Sequence, residues 1–111
     1  AKTIRTDMTV IDGGVCMEGN GPVVGNPRRM GVLVAGTDVV AVDAFCCRLM
    51  GFDPSEIGHV AGAARLGVGN LEGYEVVGDP GEDRICQFER PYSLKATFKS
   101  LGAVRDVYLK R

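Results

Sequence analysis

The sequence lacks the paired thiols, the membrane-length run and the histidine set on which many functional assignments rest. Its four cysteines, at positions 16, 46, 47 and 86, contain no Cys-x-x-Cys pair, so neither a zinc ribbon nor an iron–sulfur motif is encoded. A single histidine, His59, with no Ser/His/Asp set gives no support to a hydrolase triad. No apolar run approaches the roughly 20 residues that a membrane helix needs. The opening residues, Ala1-Lys2-Thr3-Ile4-Arg5, carry no apolar signal core, so a reducing cytoplasm is the expected compartment. No Gly-Lys-Ser/Thr follows the glycines, which excludes a phosphate loop, and the acids do not follow EF-hand spacing. Internal repeats and low-complexity segments are also absent.

What is present describes an ordinary globular chain. With 111 residues, 45% hydrophobic and 24% charged, a single domain spanning 1–111 with a real core is expected. The lack of an initiator Met suggests a fragment or a processed product. A net charge of −1 provides no field for specific nucleic-acid binding. The charge is uneven, however. Residues 92–111 carry Lys95, Lys99, Arg105, Lys110 and Arg111 against Asp106, a basic C-terminal extension read as a solvated face.

Along the chain, Met8 to Asp12 read as a strand, and Cys16 to Arg29 as a long loop rich in glycine and proline. Met30 to Gly36 is continuously apolar, as a central strand would be. Thr37 or Asp38 caps a helix running to Met50, apolar almost all round and hence buried on most sides. Asp53-Pro54-Ser55-Glu56 is a helix-start signature for a second helix over 54–66. Tyr74 to Val77 and Arg84 to Phe88 are expected strands. Ser93 to Leu101 has helical spacing, and Val104, Val107 and Leu109 suggest a last strand. The expected class is α/β, a small mixed sheet of about four strands packed with two to three helices.

Three stretches carry a family resemblance. They are Met17-Glu18-Gly19-Asn20-Gly21-Pro22, then Gly31-Val32-Leu33-Val34-Ala35-Gly36-Thr37-Asp38-Val39-Val40-Ala41-Val42-Asp43-Ala44, then Met50-Gly51-Phe52-Asp53-Pro54. In this order and spacing the chain resembles the domain-of-unknown-function family 362, over roughly residues 9–91. The resemblance implies the C-terminal half of that domain, with an N-terminal half as the missing partner. It also implies association with ferredoxin-like modules. A four-iron cluster would then belong to a parent or partner protein, since this chain has no such module.

The candidate site is built around the stretch Val10 to Pro22. Glu18, Gly19, Asn20 and Gly21 offer polar side chains beside open backbone, and Asp12 ends the first strand. Asp38 is most simply a helix cap. It also lies at a strand-to-helix junction, where α/β proteins place ligands. Asp43 is the most informative residue, because a carboxylate in an apolar helix is costly unless paired, hydrogen-bonded or bound to a ligand. Arg48 is five residues away, outside the favourable helical spacing. Two readings follow. In one, Glu18, Asn20 and Asp43 bind a small ligand, or Asp12, Glu18, Asp38 and Asp43 hold a hard divalent cation through oxygen. In the other, the same acids pin the glycine loop in a non-catalytic structural or interaction module. Arg28 and Arg29 could face an anion cradled by the loop amides. His59 reads as an ordinary helix residue, and Cys46 and Cys47 as small core residues. Cys16 would be a reactive thiol only beside a cation.

Overall fold

A computed structural model describes residues 3–92. Within them the chain forms β1 (Thr9–Asn20), β2 (Val24–Gly36), α1 (Val39–Leu49) and α2 (Gly58–Arg65), with one-turn 3-10 helices at Pro54–Glu56 and Glu82–Arg84. The two strands pair as a hairpin, which makes them antiparallel. The class is therefore mixed α/β, but the described residues hold two strands and two helices rather than about four strands and two to three helices. The chain divides into two compact units. Residues 3–16 with 28–88 form the first, and residues 17–27 with 89–92 belong to the second.

In the first unit, helix α1 begins where expected. Asp38 stands in extended conformation, and its Oδ1 accepts from the amides of Val40 (2.9 Å) and Ala41 (3.0 Å), two of the donors a helix start leaves unmatched. The helix buries Val40, Ala41, Val42, Ala44, Cys47 and Leu49, in accord with its apolar sequence. Val40 and Cys47 join Val60 of α2 in one core cluster, and Leu49 joins Met30 of β2 and Phe88 in another. Both helices end in the same way. Gly51 (φ 75°) donates to Arg48 O at 3.0 Å, and Phe52 donates to Cys47 O at 2.8 Å. Gly67 (φ 71°) donates to Ala64 O at 2.9 Å, and Val68 donates to Ala63 O at 3.1 Å. Each is a Schellman stop, which requires the left-handed backbone that glycine adopts without a Cβ penalty.

Asp53-Pro54-Ser55-Glu56 starts a 3-10 turn rather than α2 itself. Asp53 Oδ1 accepts from the backbone amide and the hydroxyl of Ser55, and α2 begins only at Gly58. The two further strands expected at 74–77 and 84–88 do not form. The amides of Cys86 and Phe88 donate to Leu49 O and Met50 O, both at 3.0 Å. This extended run thus satisfies the end of α1 instead of entering the sheet. Residues 71–74 are held through side chains: Arg48 donates to Leu71 O at 3.1 Å and to the Tyr74 hydroxyl, with its guanidinium 5.3 Å from the Tyr74 ring centroid. Arg84 Nη1 reaches the carbonyls of Met30 (3.3 Å) and Gly31 (3.0 Å), and Arg28 lies 5.4 Å from the Phe88 ring centroid.

The long loop expected over 16–29 is instead the outer half of the hairpin, turning at residues 21–23 with a cis Gly21–Pro22 peptide. Its glycines and prolines are compatible with pairing in an isolated ribbon. Pro27 is exposed, and a proline is tolerated wherever its missing N–H is not needed by a partner strand. This stretch belongs to the second unit, where residues 89–92 bond to it. The Gly19 amide donates to Glu89 O and the Glu89 amide donates to Glu18 Oε2, both at 3.0 Å. The helix expected at 93–101 and the strand at 104–109 lie outside the described residues.

Candidate functional site

Glu18, Gly19, Asn20 and Gly21 do lie together, in the second unit. Glu18 accepts from the Glu89 amide, and Asn20 Oδ1 accepts from the Tyr92 amide at 2.8 Å. Asn26 Nδ2 adds a bond to Glu89 Oε2 at 3.3 Å. The polar side chains of the glycine stretch thus hold backbone from residues 89–92.

The carboxylates of the first unit have three different settings. Asp12 is exposed, and its Oδ1 accepts from the Gly14 amide at 2.9 Å, a local turn within β1. Asp38 has both oxygens engaged: Oδ1 caps α1, while Oδ2 accepts from the backbone amide (2.9 Å) and side-chain amide (3.0 Å) of Asn70. Burial pushes the Asp38 carboxyl up. The amides of Ala41, Asn70 and Val40 outweigh it and leave the group below its ordinary value. Asp38 also borders a hollow of about 360 Å³ beside Leu33 to Gly36 and Tyr74 to Val77.

Asp43 differs from both. It is half-buried and makes no hydrogen bond or ion pair with the described residues. It faces a second cavity of about 410 Å³ between the inner face of the hairpin and the two helices. Strand alternation supplies the floor, with Ile11 from β1 and Met30, Val32 and Val34 from β2. From α1 come Asp43, Cys46, Cys47 and Leu49, and beyond it Met50, Phe52, Ile57, His59 and Val60 close the other side. Asp43 is the one acidic side chain of this lining, which has neither lysine nor arginine.

Three thiols, Cys16, Cys46 and Cys47, share the cavity. Burial, reinforced by the negative charge of Asp43 and by Cys47 and Cys16, pushes Cys46 up to about 11. Burial and Asp43 also raise Cys47, partly opposed by Arg48, while burial, Asp12 and Cys86 raise Cys16. All three therefore remain neutral thiols near pH 7, small apolar fillers more than nucleophiles. Among the described residues, no three His, Cys, Asp or Glu side chains form a group that could hold a metal ion.

The sequence singled out Asp43 but not its surroundings. The apolar floor reads in sequence as plain strand core, and His59, an exposed residue near the start of α2, as an ordinary helix residue. The signal that links them is a period of two across Met30, Val32 and Val34 set against the helical spacing of Asp43, Cys46, Cys47 and Met50.

The family model described as "Domain of unknown function (DUF362)" matches residues 1–48. Over that span, somewhat less than half of the chain, the sequence is similar to that family. The DUF362 match takes in the glycine stretch, β2 and α1 as far as Arg48, including Asp43. Met50 to Pro54, the third of the resembling stretches, lies beyond it. The chain is also 41% identical over 68 residues to the thylakoid-associated protein sll1697 of Synechocystis sp., covering 61% of this chain and 21% of that protein. The match thus spans about a fifth of the relative's length. No solved structure matches the chain. No helix among the described residues is long and apolar enough to cross a membrane.

Proposed function

We propose that this chain is a small-ligand-binding module of a larger protein, with the cavity facing Asp43 as its binding site. The observation that carries the reading is a carboxylate with no hydrogen-bond or ion-pair partner among the described residues, set in a largely apolar cavity. The carboxylate is half-buried, so a guest carrying a hydrogen-bond donor can replace the water that reaches it there. A cavity of about 410 Å³ falls in the usual range for small-molecule sites, mostly apolar with a few polar groups that orient the guest. In this reading Asp43 is the polar anchor, His59 a second polar group, and Ile11, Val32, Val34 and Val60 the apolar walls.

An organic guest suits this lining better than a divalent cation, because Asp43 is its one carboxylate and the thiols are neutral. The redox association is a further part of the proposal. An iron–sulfur cluster would reside in a ferredoxin-like parent or partner module, while this chain contributes the ligand site.

The competing reading, a non-catalytic structural module, draws on Glu18 and Asn20, which bond to the backbone of Glu89 and Tyr92. It assigns pinning to those two residues and leaves Asp43 unexplained. The two readings are separated by a fragment screen followed by amide chemical shifts on the 111-residue chain. Ligand binding predicts saturable shifts at Ile11, Val34, Asp43 and Val60. A screen with no saturable shift at these positions would overturn it in favour of the structural module.

A further inference from the structure

We infer that the guest of the Asp43 cavity is an apolar organic cation, an ammonium or amidinium group carried on a hydrocarbon body; this rests on the reading of the cavity as a binding site. Three features of the lining select this class. The first is charge. Asp43 is the only acidic side chain, no lysine or arginine balances it, and none of the described residues bonds to it. An anionic guest would meet uncompensated repulsion, and a neutral donor would hydrogen-bond the carboxylate without balancing its charge, a weaker contact than a charge-assisted one.

The second is the character of the walls. Val32, Val34, Ile57 and Val60 offer no hydrogen bonds to a strongly polar body, so the guest's remaining surface must be hydrocarbon. The third is the ring of Phe52 and the neighbouring sulfur atoms in the same lining. Aromatic faces and polarizable sulfur tolerate a nearby cation better than aliphatic groups do. The neutral state of the Cys46 thiol agrees with this, since it leaves Asp43 as the single negative partner.

Three probes of matched shape test the charge: 2-phenylethylamine, 2-phenylethanol and 3-phenylpropanoate. Each is titrated into the wild-type chain and into Asp43→Asn, with amide shifts at Ile11, Val34 and Val60 as the readout. The expected result is at least tenfold tighter binding of the amine than of the alcohol in the wild type, the weakest binding by the carboxylate, and loss of the amine's preference in Asp43→Asn. Equal binding of amine and alcohol, tightest binding of the carboxylate, or a preference that persists in Asp43→Asn would overturn the cation assignment while leaving the cavity reading intact. Absence of any saturable shift with all three probes would overturn the cavity reading itself. If Asp43→Asn does not fold, the ranking of the three probes on the wild type still decides the charge.

Discussion

Asp38 holds Asn70 twice through one oxygen: Oδ2 accepts from the Asn70 backbone amide at 2.9 Å and from its side-chain amide at 3.0 Å. The other oxygen caps α1. One carboxylate thus ties the start of the first helix to the segment that follows the end of the second. A cap contributes about 1 kcal/mol, and a hydrogen bond to a charged group about 1.5–3 kcal/mol. Asp38→Ala should therefore destabilise the chain by roughly 2–4 kcal/mol, and Asp38→Asn by less, since its amide can still accept. Urea unfolding followed by circular dichroism measures both.

The same group imposes a pH dependence. Folding lowers the Asp38 carboxyl below its ordinary 3.8, so the folded state favours the charged form. Asp53 is also lowered, by the hydroxyl and amide of Ser55. A lowered carboxyl contributes stability that is complete above the unfolded value and is lost as the pH falls through the folded one. The wild-type advantage over Asp38→Asn should accordingly be constant near neutrality and shrink below pH 3.8. Unfolding curves at stepped pH test this, and an advantage that grows on acidification would refute it.

Cys46 should be a slow thiol. Raised from 9.0 to about 11, it exposes roughly a hundredfold less thiolate at pH 8 than an ordinary cysteine. Timed iodoacetamide labelling with mass spectrometry should find Cys46 modified far more slowly than a cysteine in a short peptide. The gap should narrow as the pH is raised toward 11. Fast labelling of Cys46 at pH 8 would show that its burial is not maintained in solution.

Two glycines should respond in opposite directions. At Gly51 a Cβ would stand 3.0 Å from Gln87 Cα and 2.8 Å from its Oε1, on a backbone at φ 75°. Gly51→Ala should cost at least about 1–2 kcal/mol, the penalty of left-handed backbone for an L residue. Gly62 lies within α2, and a Cβ there meets nothing within 4 Å. Gly62→Ala should stabilise by about 0.5–1 kcal/mol through helix propensity and a less disordered unfolded chain. Thermal melts of the two variants provide the comparison.

These cases show what was legible in the sequence. Asp38, the apolar helix and its end near Met50 are local signals, and each appears where the sequence places it. The hairpin was hidden because Gly19, Gly21, Gly25 and Pro27 are breakers by propensity, yet a two-stranded ribbon tolerates them. Residues 84–88 have strand composition, but the nearest unmatched acceptors were the last carbonyls of α1, a tertiary circumstance that propensity does not encode. The site divides similarly. Asp43 stood out as a charge in an apolar helix, whereas the cavity before it depends on the packing of the hairpin against two helices.

The contact between Arg84 and β2 has a consequence for the behaviour of the protein in concentrated solution. A two-stranded ribbon leaves backbone groups that could template another chain, the usual route to edge-to-edge aggregation. With its guanidinium on the carbonyls of Met30 and Gly31, Arg84 occupies two of those groups and places a positive charge beside them. A charged side chain placed on a strand in this way disfavours pairing of that stretch with another copy.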